Sequence, residues 1–370
     1  MKKVLFIFNR VAHYHRDLFK SLEAELPNYG LELHLLSGMR PRSDTGRVGL
    51  EEKIVSNEYK YQFVERRIGS YVLRRAEGII GRIHDIRPHI VVCMGHVGDI
   101  SHWRLIRLKR KLGFKLVAWQ CGYEYNPGIV KSLLLRQFVP QFDLHLAYHT
   151  NAKNYALMHG ADEKSISVIH NTINESRIHT LPKAEARAFL ASKYPKIGSR
   201  KILLFVGAIL KEKKIEVIIK ALDRLNRADL ILLVVGSGPH LGVIRDLCRS
   251  RSDVLLTGEI IEGVGPFFDA SEIYLLPGTG GLGINEAMAH GLPILSGYAD
   301  GSADDLVVDK ENGFRLKTDA ADELAGRIAE VLDNSDLAKK MGERSRAMIT
   351  GEFAFSEFIN RVRSGILSLA

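Results

Sequence analysis

Short runs rich in Val, Ile, Leu and Phe alternate along this chain with longer segments of helical period, and this alternation restricts the fold more than any other feature. Strands that read as unbroken apolar runs need cover on both faces, which is the condition of a parallel sheet with helices on each side. A sheet with one wet face would instead alternate with a period of two. The runs predict strands at 4–8, 31–36, 90–94, 115–119, 144–148 and 165–169, then at 202–206, 230–235, 254–257, 273–276, 294–296 and 313–316. A chain of 370 residues exceeds what one core organises. The expected architecture is therefore α/β, with two doubly wound, Rossmann-like parallel sheets. Between them, Asn171, Asn174, Pro182, Pro195 and Gly198 fall in a stretch with little strand pattern. Expected boundaries are 1–175 for the first domain, 176–199 for a hinge, 200–350 for the second domain and 351–370 for a helix that packs back toward the first. Open parallel sheets bind ligands at the carboxyl ends of their strands, so two such domains can share one cleft.

Charge is distributed unevenly. Residues 1–180 hold 27 Lys and Arg against 17 Asp and Glu, whereas residues 181–370 hold 25 against 26. The basic half favours an anionic partner. Arg104, Arg107, Lys109, Arg110 and Lys111 crowd one predicted helix, and Arg66, Arg67, Arg74, Arg75 and Arg82 another region. Such runs fit a solvated helix face or contact with an anionic membrane surface. No recognition motif or aromatic platform accompanies them, which argues against nucleic acid. The three cysteines, Cys93, Cys121 and Cys248, are too scattered for a disulfide framework or a Cys-x-x-Cys metal site, and a reducing compartment is expected. The opening apolar run stops at Asn9, short of a secretory core, and no run approaches the ~20 residues of a spanning helix. A cytoplasmic protein is expected, peripheral at the inner membrane face where the basic half meets lipid.

The most informative stretch runs from Leu276 through Pro277, Gly278, Thr279, Gly280, Gly281, Leu282 and Gly283 to Glu286-Ala287-Met288-Ala289-His290-Gly291-Leu292-Pro293. An apolar strand enters a glycine-rich turn and then a helix, an arrangement whose backbone N–H groups cradle phosphate. Glu286 is placed to accept hydrogen bonds from a ribose diol. Gly278-x-Gly280-x-x-Gly283 also fits the dinucleotide fingerprint, with Asp300 following the next strand, so an NAD-dependent oxidoreductase is an alternative. That fingerprint normally follows the first strand of its domain, and this one follows about the fourth. Gly207, with Lys213 six residues on, and Gly236-Ser237-Gly238-Pro239 end two further strands in glycine.

Taken in order, these elements resemble retaining glycosyltransferases of family 4, which have the two-domain GT-B fold. The set is Gly207 with Lys213, the Val234–Pro239 turn, Leu256-Thr257-Gly258-Glu259, the turn leading to Glu286, and Glu311-Asn312-Gly313-Phe314. The first half matches through its opening strand and through residues 166–174. The resemblance implies a nucleotide-diphosphate sugar, UDP- or GDP-linked, as co-substrate and no cofactor. It also implies contact of Lys213 with the diphosphate, of Gly280, Gly281, Leu282 and Gly283 with the distal phosphate, and of Glu286 with the ribose. The segment Glu259-Ile260-Ile261 would flank the base, and Gly207 and Gly236 would belong to the donor site. Two positions depart from the family pattern: Ala208 stands where an Arg is usual, and Gly278 where a Glu contacts the donor sugar.

For the acceptor, a glycan or lipid-linked molecule, the expected residues are Asn9, Arg10, His13 and Tyr14 after the first strand, and His149 after another. The resemblance implies a catalytic role for His96, at the end of the third strand. In Trp119-Gln120-Cys121-Gly122, Cys121 replaces a histidine of some relatives. No metal is expected: His145 and His149 on a strand would stand ~13 Å apart, too far to share one ion. The expected function is sugar transfer with retention in cell-surface polysaccharide or glycoconjugate biosynthesis. Besides the oxidoreductase, a non-catalytic nucleotide-sugar-binding protein and a GT-B-fold epimerase fit the same residues.

Overall fold

The computed structural model describes residues 1–39, 52–68, 71–122, 128–297, 301–317 and 320–370. It divides into two compact units, Met1–Asn171 with Ser356–Ala370, and Thr172–Phe355. Each is a doubly wound α/β unit, as expected.

Strands of the first unit are β1 (Lys2–Phe8), β2 (Leu31–Met39), β3 (Glu58–Ile68), β4 (Tyr71–Ala76), β5 (Ile90–Cys93), β6 (Lys115–Gln120), β7 (Leu144–Ala147) and β8 (Ile166–Val168), and its helices include α1 (Arg16–Glu25), α2 (Ile79–Ile86), α3 (Ile100–Leu112), α4 (Ile129–Phe138) and α5 (Thr150–Met158). The sheet order is β4-β3-β2-β1-β5-β6-β7-β8, parallel throughout except for the β3–β4 pair. Alternate residues of each strand serve opposite faces. Leu5 and Ile7 of β1 join Leu116 and Ala118 of β6 in a core with Ile79 and Ile83 of α2, Leu105 and Ile106 of α3 and Leu135 and Phe138 of α4. On the other face Phe6 and Phe8 meet Phe19 of α1 and Trp119 at ring-centroid distances of 5.2–6.3 Å.

The second unit has β9 (Lys201–Val206), β10 (Leu230–Val235), β11 (Val254–Gly258), β12 (Ile273–Leu276), β13 (Ile294–Ser296) and β14 (Gly313–Arg315) in the order β11-β10-β9-β12-β13-β14, all parallel. Its helices are α6 (Lys183–Lys193), α7 (Ile215–Leu225), α8 (Leu241–Leu247), α9 (Gly265–Asp269), α10 (Gly283–Ala289), α11 (Ser302–Leu306), α12 (Ala321–Leu332) and α13 (Ser335–Thr350). In α7, Ile215, Ile218, Ile219 and Leu222 recur with helical period and are buried against the sheet.

Two features differ from the sequence reading. The β3–β4 hairpin lies where only a cluster of arginines was recognised, because charges at Lys60, Glu65 and Arg66 mask the period-two alternation of Tyr59 and Tyr61. Residues 176–199 are not a bare hinge: α6 sends Ala186 and Leu190, and the next turn sends Ile197, into the second core. The unit accordingly begins at Thr172. The last helix, α14 (Phe355–Leu367), belongs with the first unit, where Phe358 stands 6.1 Å from Trp119 and Gly365 lets the helix press on Leu146.

Candidate functional site

Because β9, β10, β11 and β12 are parallel, their carboxyl ends share one edge of the second sheet. The glycine turns there are packed backbone to backbone. Gly207 N–H donates to the Val235 carbonyl at 3.0 Å and Gly236 N–H to the Gly258 carbonyl at 2.8 Å. A Cβ on Gly236 would strike the Gly207 carbonyl oxygen, so only glycine permits this approach. Beyond β11, Glu259 is exposed and Ile260 is half-buried against the core, while Ile261 is 55% exposed.

The turn after β12 is built against the loop that follows β9. Lys213 Nζ donates to the carbonyls of Thr279 and Gly280, both at 2.6 Å. Thr279 N–H donates to the Glu212 carbonyl at 2.9 Å. Any Cβ on Gly278 would collide with that carbonyl and would lie 2.5 and 2.6 Å from the Lys213 carbonyl carbon and Cα. Gly278 is therefore the residue that lets the lysine-bearing loop fold over the turn. The Glu usual in the family would need the same space.

Glu286, on α10, is half-buried, and no hydrogen bond to its carboxylate occurs among the described residues. Burial pushes its pKa up, opposed by His290. Beneath it the Tyr274 hydroxyl donates to the Val206 carbonyl at 3.1 Å, and burial together with the Glu286 charge holds that hydroxyl above its ordinary pKa. Gly283 has no room for a Cβ because that hydroxyl lies against it. The far end of α10 is fixed by His290, whose Nδ1 is 2.7 Å from Asp269 Oδ1 and whose ring stacks on Phe268 at 5.1 Å. Asp269 Oδ2 accepts from Leu181 N–H at 2.9 Å, and Asn285 Nδ2 donates to Thr172 Oγ1 at 3.2 Å. The structure thus brings Gly280, Gly281, Leu282, Gly283, Lys213 and Glu286 together. Asp300, on which the dinucleotide alternative rests, lies outside the described residues.

At the corresponding edge of the first unit, Asn9 Oδ1 accepts from the Tyr61 hydroxyl at 3.2 Å, and Arg10 follows, half-buried. His13 is exposed, and partial desolvation together with Arg16 lowers its pKa. The Tyr14 ring lies 4.3 Å from that of His15. His96 is half-buried on the loop after β5, and its backbone is held by a residue the sequence did not single out. His102 Nδ1 stands 3.0 Å from His96 N and 3.1 Å from His96 O. Asp99 caps α3 through Ser101 N–H at 2.8 Å and stands 3.8 Å from His102 Nε2. Burial alone would lower the His102 pKa, but the Cys93 sulfur and the Asp99 carboxylate push it up to about 9. Asp99-x-Ser101 reads as a helix cap in sequence; the buried imidazole behind it carries no sequence signal. His149 is corrected from an acceptor residue to a structural one: it is 3% exposed and its Nδ1 accepts from Ala152 N–H at 3.0 Å as the N-cap of α5.

Residues 187–348 match the family model of glycosyl transferases group 1. That match lies within the second unit. The chain is 27% identical over 253 residues to an uncharacterized glycosyltransferase of Methanocaldococcus jannaschii, a match over 65% of this chain and 61% of that protein. It is 29% identical over 188 residues to a GDP-mannose-dependent alpha-(1-6)-phosphatidylinositol monomannoside mannosyltransferase of Mycobacterium tuberculosis, over 46% of this chain and 48% of that one. These matches span between about half and three fifths of the curated relatives' own length. Among solved structures, HepE of Anabaena in complex with UDP superposes with a TM-score of 0.78 at 15% identity over 100% of both chains, a likeness of fold.

Proposed function

We propose that the protein is a glycosyltransferase that moves a sugar from a UDP- or GDP-linked donor to a glycan or lipid-linked acceptor. Retention at the anomeric carbon and a role in cell-surface polysaccharide or glycoconjugate biosynthesis are part of this proposal. The observation that carries it is the meeting of Lys213, the glycine turn 278–283 and the half-buried carboxylate of Glu286 at one sheet edge, within the residues that match the group 1 family. Lys213 is already aimed at the turn, so a bound diphosphate would exchange two carbonyl acceptors for charged oxygens, and charge-assisted bonds are the stronger. Backbone N–H groups of the turn take the distal phosphate, which becomes the leaving group, and stabilise its charge as the glycosidic bond breaks. Glu286 accepts from the ribose hydroxyls, while Glu259 and Ile260 border the base. In the first unit His96 has the catalytic role, and Asn9, Arg10, His13 and Tyr14 bind the acceptor. No resident cofactor is needed, since the nucleotide sugar is a co-substrate.

Thermal shift against UDP, GDP, their monophosphates and NAD tests this reading. A ligand at 100 times its dissociation constant adds ~2.7 kcal/mol of stability. UDP or GDP is expected to stabilise the protein, and Lys213→Ala to cost about 1.5 to 3 kcal/mol of diphosphate binding with a smaller loss for monophosphates. Stabilisation by NAD alone would overturn the proposal.

A further inference from the structure

The lysine that meets the glycine turn sits on a loop, residues 207–214, that leaves the sheet before α7 begins. Lys214 ends that loop in the left-handed region at a φ of 55°, a conformation that its surroundings must enforce in a residue other than glycine. The β10–α8 turn supplies the surroundings. Ile209, wholly buried, donates from its N–H to the Ser237 carbonyl at 2.9 Å and accepts on its carbonyl from His240 N–H at 3.1 Å. A Cβ on Gly238 would lie 2.4 Å from the Ile209 carbonyl oxygen, so the two turns are in backbone contact. Beyond the lysine, the carboxylate of Glu216, in the first turn of α7, accepts from His240 Nε2. Both side chains are half-buried. His240 therefore holds the loop on either side of Lys213, through its backbone to Ile209 before the lysine and through its ring to Glu216 after it.

We propose that His240 is a positioning residue for Lys213: its ring, held against Glu216, keeps the loop seated so that the lysine meets the distal phosphate of a nucleoside diphosphate. This rests on the donor-site reading above and deepens it by naming what aims the cation. An ammonium is a point charge on a flexible stem, and its reach depends on where its backbone is held. Lys213 Nζ donates to the Thr279 and Gly280 carbonyls at 2.6 Å, and a loop displaced by about 1 Å would carry it out of hydrogen-bonding range of both. The same displacement would draw the Glu212 carbonyl from Thr279 N–H, which it meets at 2.9 Å, and so loosen the glycine turn. With Ala208 where the family pattern has an arginine, no guanidinium on this loop can take over from the lysine.

Calorimetric titration with UDP, GDP, UMP and GMP tests the proposal. His240→Ala keeps the backbone bond to Ile209 and removes only the ring. It is expected to raise the dissociation constant of the better-bound diphosphate about three- to tenfold, part of the cost of losing the lysine contact outright, and that of its monophosphate less than about twofold. Glu216→Ala is expected to give the same split, and the double variant no more than either alone. His240→Gln, whose amide can still donate to Glu216, is expected to stay within about twofold of wild type. In a Lys213→Ala background, His240→Ala is expected to have no further effect on diphosphate binding. Unchanged diphosphate binding in His240→Ala, equal losses for mono- and diphosphate, an effect that persists without the lysine, or a glutamine variant as weak as the alanine one would overturn the positioning role. Wild type that binds neither UDP nor GDP, or a Lys213→Ala variant that binds them as well as wild type, would instead reject the donor-site reading.

Discussion

Replacing Glu286 by Gln is expected to move two properties of the protein in opposite directions. The carboxylate is half-buried without a hydrogen-bonding partner among the described residues, and burial raises its pKa. A carboxyl whose folded pKa lies above its unfolded value withdraws stability as pH rises, because the unfolded chain ionises first. The ligand-free glutamine variant is therefore expected to be more stable than wild type at pH 7.5. That advantage is expected to vanish below the unfolded pKa of about 4.3, where both states of the wild type are protonated. Nucleotide binding is expected to respond the other way. Two ribose hydroxyls donating to one charged acceptor make charge-assisted bonds, and a neutral amide keeps part of that acceptance. The loss is about 1 to 2 kcal/mol, or roughly 5- to 30-fold in dissociation constant. Calorimetric titration with UDP or GDP and with the 2′-deoxy analogue, beside melting curves at both pH values, reads all of this. The 2′-deoxy penalty is expected to be smaller in the variant, since the partner of that hydroxyl is already weakened. Strictly additive losses, or a ligand-free variant less stable than wild type at both pH values, would refute the placement of Glu286 at the ribose.

Gly278→Ala is expected to lower stability by about 1 to 3 kcal/mol, since its Cβ can enter only by moving the backbone of Glu212 and Lys213. Because that movement carries Lys213 away from the turn, diphosphate binding is expected to fall with it, and an unchanged melting temperature would show that the loop gives way freely. At His102, a folded pKa of about 9 lies above the unfolded value, so its contribution is complete below pH ~6.5 and fades as pH rises through 9. Denaturation of wild type and His102→Gln from pH 6 to 10 is expected to show a stability gap that narrows across that window; a constant gap would mean that the imidazole stays neutral.

The sheets were legible because their strands are buried on both faces. Runs such as Leu230–Val235, wholly inside, cannot be confused with a wet strand. The glycine turns at the carboxyl ends of β10 and β12 were legible too, because the close approaches at Gly236, Gly278 and Gly283 leave no room for a side chain. What could not be read was anything that depends on which side of an element faces outward. The apolar run of α4 has the composition of a core helix, and only its neighbours decide that Ile129 and Leu133 are left in water. For the same reason His149 looked like a site residue: a histidine after a strand is available or committed according to the next turn of chain, and here it caps α5. The pairing of Gly278 with the Glu212–Lys213 backbone is a contact across more than sixty residues, which no local pattern carries.

The chain passes from one unit to the other and back, near Asn171 and again near Phe355. On a ribosome this reverses the usual order of completion. The aromatic face of the first sheet, where Phe6, Phe8 and Trp119 gather, is made early, yet Phe358, Val362 and Ile366 of the helix α14 are synthesised only after the whole of the second unit. For most of translation that face is open, and the second unit has all its strands before the first has its cover. Emergence of α14, rather than of the first half, is then the event that closes the first unit. A fragment ending at residue 350 would keep every sheet strand and still expose the Trp119 face, a lesion that aggregation and chaperone capture would register where nucleotide binding to the second unit would not.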